Sequence, residues 1–283
     1  MMNLKTEMIE NACPAKASES RADGRYGTYR HETYYSGTCG MERGYSVLLP
    51  ADYDEANAYP VFYLLHGIMG NEYAFSGDPT NAVPQIFGNA ANDYGREQWI
   101  VILPDLFAKK DPEMKQDFKQ EVIRCYDNFI NDLINDLMPV VESRYNVKTG
   151  RENTAIAGFS LGGRETLFIS LKETERFGYV CAISPAPGLV PGKDWAMEHP
   201  GQLTPEKLVY PKDAIRPDVL LLLCGTKDSV VGVFPKSYHE IFEANGVDHI
   251  WYEVEEADHD NNAIKSGLYN FLKLIDYSKT CGE

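Results

Sequence analysis

A serine between two glycines is the feature of this sequence whose residue types could perform covalent chemistry. It lies in Gly158-Phe-Ser-Leu-Gly162, after an apolar run at residues 154–157 and before a helix-like run at residues 164–171. Strand, G-x-S-x-G and helix in this order form a strained turn that exposes a nucleophilic serine. A side chain at either glycine would clash in so tight a turn. The pattern predicts that Ser160 is a nucleophile at one edge of a sheet, with the amino end of the next helix aimed at a developing oxyanion.

A nucleophilic serine needs a base to take its proton and a carboxylate to orient that base. Asp228 and His259 are the candidates, because each follows an apolar, strand-like run near the end of the chain. The carboxyl ends of parallel strands meet at one edge of a sheet, so both side chains are expected near Ser160. The chain order serine, acid, histidine also matches one of the known triad orders. Asp105 stays open as an alternative acid.

The remaining histidines are poorer candidates for the base, because none follows a late strand at its carboxyl end as His259 does. They are His31, His66, His199, His239 and His249. We interpret His66 as a structural histidine beside a central strand. We interpret His199 as a surface residue.

A small glycine loop, His66-Gly-Ile-Met-Gly70, follows the apolar run at residues 61–65. That run has the composition of a strand buried on both faces. A loop of this kind after a central strand can donate a backbone N–H to an oxyanion. We predict that Ile68 supplies this donor and that Gly67 lets the backbone approach the substrate closely.

Strands and helices alternate from about residue 60 to the end of the chain, which indicates an α/β fold. We predict a mostly parallel central sheet with helices on both faces, preceded by two antiparallel strands within residues 26–49. Residues 26–283 are expected to form a single domain, and residues 1–25 a flexible N-terminal arm. Residues 71–98 are expected to form a long surface loop with room for one short helix.

Apolar residues spaced by three and four predict a long amphipathic helix over residues 118–145, with a kink or restart at Pro139. Its solvated face is expected to carry Asp127, Asn131, Asp132 and Asn135. After the serine turn, a proline-rich segment at residues 185–217 predicts an irregular insertion over the site. Because such segments often carry substrate contacts, Trp195 and Met197 are expected to be pocket walls.

Composition and charge exclude several classes of partner. The chain has 42 acidic and 27 basic residues, a formal net charge of −15. Nucleic acid and anionic membranes require a basic surface, so neither is an expected partner. No run approaches the ~20 apolar residues of a membrane span, and the first twenty residues lack the apolar core of a signal peptide. The expected location is the cytoplasm, or outside the cell if the chain is a trimmed module of a secreted protein.

The six cysteines form no C-x-x-C pair, so the sequence predicts neither a zinc site nor a redox motif. Cys181 and Cys224 lie inside apolar, strand-like runs. A free cysteine in such a run behaves as a small apolar residue, and both thiols are therefore expected to be buried.

Four segments together resemble the esterase D-like branch of the α/β-hydrolases, and within it the family-one carbohydrate esterases. They are Leu65-His-Gly-Ile68, Ala157-Gly-Phe-Ser-Leu-Gly-Gly163, Cys224-Gly-Thr-Lys-Asp-Ser229, and His259-Asp260 with residues 265–272. The resemblance covers about residues 40–275 and implies an α/β-hydrolase fold. The site residues that it implies are the catalytic Ser160, Asp228 and His259, with the backbone N–H groups of Ile68 and Leu161 as the oxyanion hole.

The resemblance implies a serine esterase that works through an acyl-enzyme and needs neither metal nor organic cofactor. The expected substrate is a hydroxycinnamoyl (feruloyl) ester of plant cell-wall polysaccharide, with Phe159, Trp195 and Met197 as its contacts. Acetyl-xylan or general short-acyl esterase activity stays open, as do S-formylglutathione hydrolase and siderophore esterase activity. Acyl transfer to another acceptor and non-catalytic binding on the same scaffold are more remote alternatives.

The sequence departs from the family pattern beside the expected base. Relatives often have Gly-Gly before the catalytic histidine and an aromatic residue soon after it. Here Ala257-Asp258 precede His259, and Asn261-Asn262 follow Asp260. The extra carboxylate of Asp258 could change the basicity of His259 or the polarity of the pocket mouth.

Overall fold

An eight-stranded sheet forms the centre of the protein. The structure is a computed structural model that describes residues 6–94 and 97–281, with the side chains of Tyr94 and Cys281 outside the description. The strands are β1 (Thr28–Ser36), β2 (Met41–Leu49), β3 (Val61–Leu65), β4 (Ile100–Pro104), β5 (Thr154–Phe159), β6 (Tyr179–Ile183), β7 (Gly192–Lys193), β8 (Glu198–His199), β9 (Val219–Gly225) and β10 (Ile250–Val254). Strands β7 and β8 form a separate small ribbon within the predicted insertion.

The order in the main sheet is β1-β2-β4-β3-β5-β6-β9-β10. Strands β1, β2 and β4 are antiparallel neighbours, and every later pair is parallel. All residues of β3, β4, β6 and β9 are buried, and successive side chains face two separate apolar clusters. On β3, for example, Tyr63 packs into one cluster and Phe62 into the other. The mostly parallel sheet that the sequence predicts is therefore confirmed.

Helices cover both faces of this sheet, as predicted. They are α1 (Ala15–Ser18), α2 (Val83–Tyr94), α3 (continuous segments Gln120–Asp127, Phe129–Asp132, Leu133–Leu137 and Met138–Arg144), α4 (Leu161–Lys172), α5 (Phe234–Ala244) and α6 (Asn261–Cys281). Apolar side chains of α3, α4 and α5 share one cluster with the sheet, whereas those of α2 and α6 belong to the other. Within the described residues, no helix combines the length and apolar character needed to cross a membrane.

Residues 71–98 contain more regular structure than the sequence predicts, because α2 is a twelve-residue helix. The Asn81 side chain accepts a hydrogen bond from the Val83 N–H at 3.1 Å and so satisfies one of the free donors at the helix start. Ile86 and Phe87 then pack into the cluster beneath the sheet. Tertiary burial therefore stabilises a helix in a segment whose Asn, Gly and Pro content favours a loop.

Helix α3 is irregular where the sequence predicts it. A π-helical segment, Leu133–Leu137, ends two residues before Pro139. Proline has no N–H to donate to the preceding turn, and a widened turn relieves its clash with the carbonyl four residues earlier. The predicted disturbance near Pro139 is confirmed, although the helix continues through it.

The prediction of a solvated face is wrong for Asp132, whereas the Asp127 side chain is 32% exposed and forms an ion pair. Asp132 is fully buried, and its Oδ2 accepts hydrogen bonds from Arg43 Nε at 3.0 Å and from the Tyr34 hydroxyl at 2.5 Å. Asp127 Oδ1 accepts one from Arg164 Nη2 at 2.6 Å. The periodicity of one helix carries no information about cations on other elements, such as Arg43 and Arg164 here. Asn131 and Asn135 are exposed, as predicted.

The N-terminal segment has defined contacts, whereas the sequence predicts a loosely held arm. Lys273 Nζ on α6 donates a hydrogen bond to Glu10 Oε1 at 2.8 Å. The Asn270 side chain accepts from the Glu10 N–H and donates to the Glu10 carbonyl. Glu10 is thus tied to α6, and the backbone of residues 16–19 accepts hydrogen bonds from Asn89 on α2. Residues 1–5 lie outside the described residues.

Candidate active site

Ser160 occupies a sharp turn between β5 and α4. Its backbone has φ +58° and ψ −120°, a conformation that residues other than glycine rarely adopt. The Ser160 N–H donates to the Ile183 carbonyl at 2.9 Å, which fixes the turn against β6. A Cβ on Gly158 would strike the Gly162 carbonyl, and a Cβ on Gly162 would strike the Leu65 carbonyl. The turn therefore has the strain and the close backbone approach that the sequence predicts.

His259 and Asp228 form a hydrogen-bonded pair beyond the carboxyl ends of β10 and β9. His259 Nδ1 lies 2.8 Å from Asp228 Oδ2. The N–H groups of Val230 and Val231 each donate to Asp228 Oδ1 at 3.1 Å. Burial acts to raise the pKa of Asp228, but the hydrogen bond and charge of His259 outweigh it, and the pKa falls to about 2. An ionised Asp228 keeps the proton of His259 on Nδ1 and leaves Nε2 able to accept another.

The imidazole of His259 packs beside the serine turn. Its ring centroid lies 4.4 Å from that of Phe159, the residue before Ser160. Phe159 is expected from the sequence to contact substrate. In the structure it packs against the core cluster and the His259 ring, and it is not among the described residues that line the pocket. Its position supports the imidazole, and its contact with a substrate stays a prediction.

The glycine loop after β3 lies directly against Ser160. A Cβ on Gly67 would come within 3.3 Å of Ser160 Cβ and 3.7 Å of Ser160 Oγ. Ile68 and Leu161 both line the pocket beside Ser160. Leu161 is the first residue of α4, so its N–H has no acceptor within the helix. The two predicted backbone donors therefore flank the same space, and their role as an oxyanion hole stays a prediction.

His66 has the structural role that the sequence predicts. It is buried, its Nε2 accepts a hydrogen bond from the Leu106 N–H at 3.0 Å, and its Nδ1 lies 2.6 Å from the Gly67 carbonyl oxygen. Asp105, the alternative acid, lies 3.6 Å from His66. The carboxylate that contacts His259 is that of Asp228.

A cavity of about 150 Å³ opens beside Ser160. Its walls are mostly apolar and include Ile68, Phe118, Ile123, Trp195, Met197 and Val231. Trp195 is 73% exposed, and its ring makes an edge contact with Phe118 at a centroid distance of 5.7 Å. The structure thus places Trp195 and Met197 in the wall, where the sequence predicts them. Their contact with a substrate stays a prediction.

Besides Ser160, the pocket has three polar side chains that the sequence does not predict there, those of Arg164, Asp194 and His199. Arg164 follows Ser160 by four residues and so lies on the same side of the turn and helix, a spacing that could have revealed it. The prediction that His199 is a surface residue is wrong. His199 is only 9% exposed, and its Nε2 lies 2.8 Å from Asp194 Oδ2. The ribbon of β7 and β8 turns it into the pocket.

The sheet order, the serine turn and the acid–histidine pair at the carboxyl edge of the sheet define an α/β-hydrolase. Solved structures of low identity share this fold. An S-formylglutathione hydrolase from Staphylococcus aureus aligns with a TM-score of 0.66 at 18% identity, over 91% of this chain and 99% of that one.

The family follows from closer comparisons. A family model described as "Putative esterase" matches residues 36–216. A CE1 ferulic acid esterase from Anaeromyces mucronatus, solved with ferulic acid, is 43% identical, with a TM-score of 0.89 over 94% of this chain and 96% of that one. The chain therefore belongs to this esterase family.

A curated relative is longer than this chain. It is an endo-1,4-beta-xylanase/feruloyl esterase from Xylanibacter ruminicola, 27% identical over 220 residues. The match covers 75% of this chain but only 27% of the relative. This chain thus spans about a quarter of the length of the curated relative that it matches.

Proposed function

We propose that this protein is a serine esterase that hydrolyses hydroxycinnamoyl esters, such as feruloyl esters, of plant cell-wall polysaccharide. One observation carries the proposal: the strained turn of Ser160, the Asp228–His259 pair and a large apolar pocket occupy the same edge of the sheet. The names of the relatives support the substrate class, since the Anaeromyces structure is that of a ferulic acid esterase and the Xylanibacter protein combines a xylanase with a feruloyl esterase.

The geometry supports acyl transfer in two steps. His259 Nε2 takes the proton of Ser160 Oγ as Oγ attacks the ester carbonyl carbon. Asp228, 2.8 Å from Nδ1, stabilises the imidazolium that forms. The N–H groups of Ile68 and Leu161 stabilise the oxyanion of the tetrahedral intermediate.

The intermediate then collapses. The bond to the alcohol oxygen breaks, and the alcohol leaves with the proton from His259. A water molecule, deprotonated by His259 in turn, attacks the acyl group on Ser160. The second tetrahedral intermediate releases the carboxylic acid and returns the proton to Ser160.

The pocket supports a bulky, flat acyl group. An acetyl group, with two carbon atoms, would leave most of the apolar wall of this cavity of about 150 Å³ without a contact. Phe118, Trp195 and Met197 offer apolar and aromatic surface to a conjugated ring, and aromatic burial is a large source of binding free energy. These walls favour a hydroxycinnamoyl group over the short-acyl alternatives.

A substrate panel tests the acyl assignment. We expect kcat/KM for methyl ferulate to exceed that for acetylated xylan and for S-formylglutathione by at least about tenfold, since only the large acyl group uses the whole pocket. A higher kcat/KM for acetylated xylan would contradict the hydroxycinnamoyl assignment while leaving ester hydrolysis in place. A higher value for S-formylglutathione would move the assignment to thioester substrates.

A further inference from the structure

Two nitrogen atoms in the pocket wall have no part in the reaction described above. A Cβ on Gly188 would lie 3.0 Å from Arg164 Nη1 and 3.1 Å from His199 Nδ1. The two nitrogens therefore flank the same glycine, which has φ +98° and presents no side chain between them. We call Arg164, Asp194 and His199, grouped around Gly188, the Gly188 corner. All three side chains line the pocket that opens at Ser160.

Arg164 supplies a hydrogen-bond donor to this corner. The side chain is 2% exposed, and its Nη2 donates to Asp127 Oδ1 at 2.6 Å and to Glu165. Within residues 6–94 and 97–281, Nε is buried without a hydrogen-bond partner, and the hydrogen bonds found for this side chain use Nη2, which leaves Nη1 able to donate. Buried donors in native proteins are nearly always paired. An acceptor on a bound ligand would give the Arg164 guanidinium a further hydrogen-bond partner.

His199 supplies an acceptor to the same corner. Its Nε2 lies 2.8 Å from Asp194 Oδ2. Asp194 Oδ1 accepts the N–H groups of Ala196 and Met197 at 2.7 and 2.8 Å, so the carboxylate is held in place. A carboxylate only accepts, so Nε2 carries the imidazole proton and Nδ1 has a free lone pair. In the part of the chain that the structure describes, Nδ1 has no donor.

We propose that Arg164 and His199 recognise the phenolic hydroxyl of the acyl group. The phenol O–H donates to His199 Nδ1, and its oxygen accepts from Arg164 Nη1. A neutral hydroxyl is the substituent that can donate and accept at once. A methoxy oxygen can only accept, and an unsubstituted ring can do neither. This inference rests on the proposed function and makes its substrate class more specific.

The charges around the corner also favour a neutral group. Two carboxylates, Asp127 and Glu165, contact Arg164, and Asp194 lies behind His199. Burial raises the pKa of Glu165 against the opposing effect of Arg164. The positive charge of Arg164 is already paired with the carboxylate of Asp127, so an anionic substituent gains little at this corner. A phenol brings hydrogen bonds without additional charge.

The test compares two esters that differ by one hydroxyl, methyl 4-hydroxycinnamate and methyl cinnamate. In the natural protein, kcat/KM should be about tenfold higher for the hydroxylated ester, the size of effect expected from one or two hydrogen bonds. His199→Phe keeps a planar ring but removes the acceptor, and it should reduce this ratio to about one. The matched substitution His31→Phe, on β1 outside the pocket, should leave the ratio unchanged.

A second variant removes the acceptor without removing the imidazole. In Asp194→Asn, the amide oxygen can keep the bonds from Ala196 and Met197 while its NH₂ donates to His199 Nε2. The imidazole proton then moves to Nδ1, which can no longer accept from a phenol. The ratio should fall as in His199→Phe, and this variant keeps the test valid if His199→Phe does not fold.

The outcomes separate this inference from the proposed function. If the natural protein hydrolyses both esters and the ratio persists in folded Asp194→Asn and His199→Phe, recognition at the Gly188 corner is wrong and the esterase assignment stands. If the natural protein shows no Ser160-dependent hydrolysis of either ester, both proposals are overturned.

Discussion

Asp258 and Ser229 join the loop that carries the acid to the loop that carries the base. Asp258 Oδ1 accepts hydrogen bonds from the Ser229 N–H at 2.8 Å and from the Ser229 hydroxyl at 3.0 Å. The same oxygen accepts the N–H of His259 at 2.8 Å. These bonds lower the pKa of Asp258. The carboxylate that departs from the family pattern therefore bonds to backbone donors of both loops, the N–H of Ser229, which follows Asp228, and the N–H of His259 itself.

We expect Asp258→Ala to lower kcat for methyl ferulate by about threefold to tenfold with little change in KM, because the Asp228–His259 alignment loosens while the pocket walls stay intact. Ser229→Ala is the matched control. It keeps the backbone N–H and should have a smaller effect. Steady-state kinetics of the two variants provides the measurement, and an unchanged kcat in Asp258→Ala would show that the link has no role in alignment.

Asp132→Ala should strongly destabilise the fold. The change leaves Arg43, which is 6% exposed, without its carboxylate partner in the interior. Breaking a buried pair by removing one member lowers the free energy of unfolding by about 3–5 kcal/mol. Urea unfolding measures this change. Asn135→Ala, at an exposed position on the same helix, should stay within about 0.5 kcal/mol of the natural protein. If Asp132→Ala also changed the free energy of unfolding by only about 0.5 kcal/mol, the proposed importance of the Arg43–Asp132 pair would be wrong.

The stability of the fold should decrease below pH 6.5 partly through His249. Burial lowers the pKa of His249 from its ordinary value of 6.5, against opposing contributions that include nearby Glu243 and Asp248. Its Nδ1 lies 2.8 Å from the Val247 carbonyl oxygen and its Nε2 2.8 Å from His239 Nδ1. The unfolded chain then binds a proton at a pH where the folded chain does not. This contribution to stability is fully present above pH 6.5 and is lost as the pH falls from 6.5 toward the lower folded value.

His249→Gln removes this titration. The free energy of unfolding at pH 5.5, measured relative to pH 7.5, should therefore decrease less in His249→Gln than in the natural protein. His31→Gln, at a more exposed histidine, serves as the control and should behave like the natural protein. An equal decrease in His249→Gln would assign the acid sensitivity to other groups.

Short sequence patterns are sufficient to predict the central sheet and the candidate catalytic residues at its edge. The glycines around Ser160 are required because a Cβ there would strike backbone a few residues away or on the neighbouring strand. Such a steric constraint is visible in the sequence as a glycine at a fixed position. Strand polarity and the chain order serine, acid, histidine predict Asp228 and His259, because parallel strands bring their carboxyl ends together. The buried thiols of Cys181 and Cys224 followed from the apolar runs that contain them.

Pairings between distant segments could not be predicted in this way. Arg43 reaches Asp132 across 89 residues, and Lys273 reaches Glu10 across 263. The sequence predicts that His199 is a surface residue, because hydrophobic periodicity indicates neither the β7–β8 ribbon nor the pairing of His199 with Asp194. The sequence predicts solvent exposure for Asp132 and His199, whereas the tertiary structure buries both side chains.

The hydrolysis of methyl ferulate by the natural protein, Ser160→Ala and Ser143→Ala is the measurement that tests the central claim most directly. Ser143 is an exposed serine on α3 and provides the matched control. We predict that Ser160→Ala lowers kcat on the order of 10³-fold or more, whereas Ser143→Ala is as active as the natural protein. A folded Ser160→Ala that retains most of the activity would contradict the acyl-enzyme mechanism and the site on which this account rests.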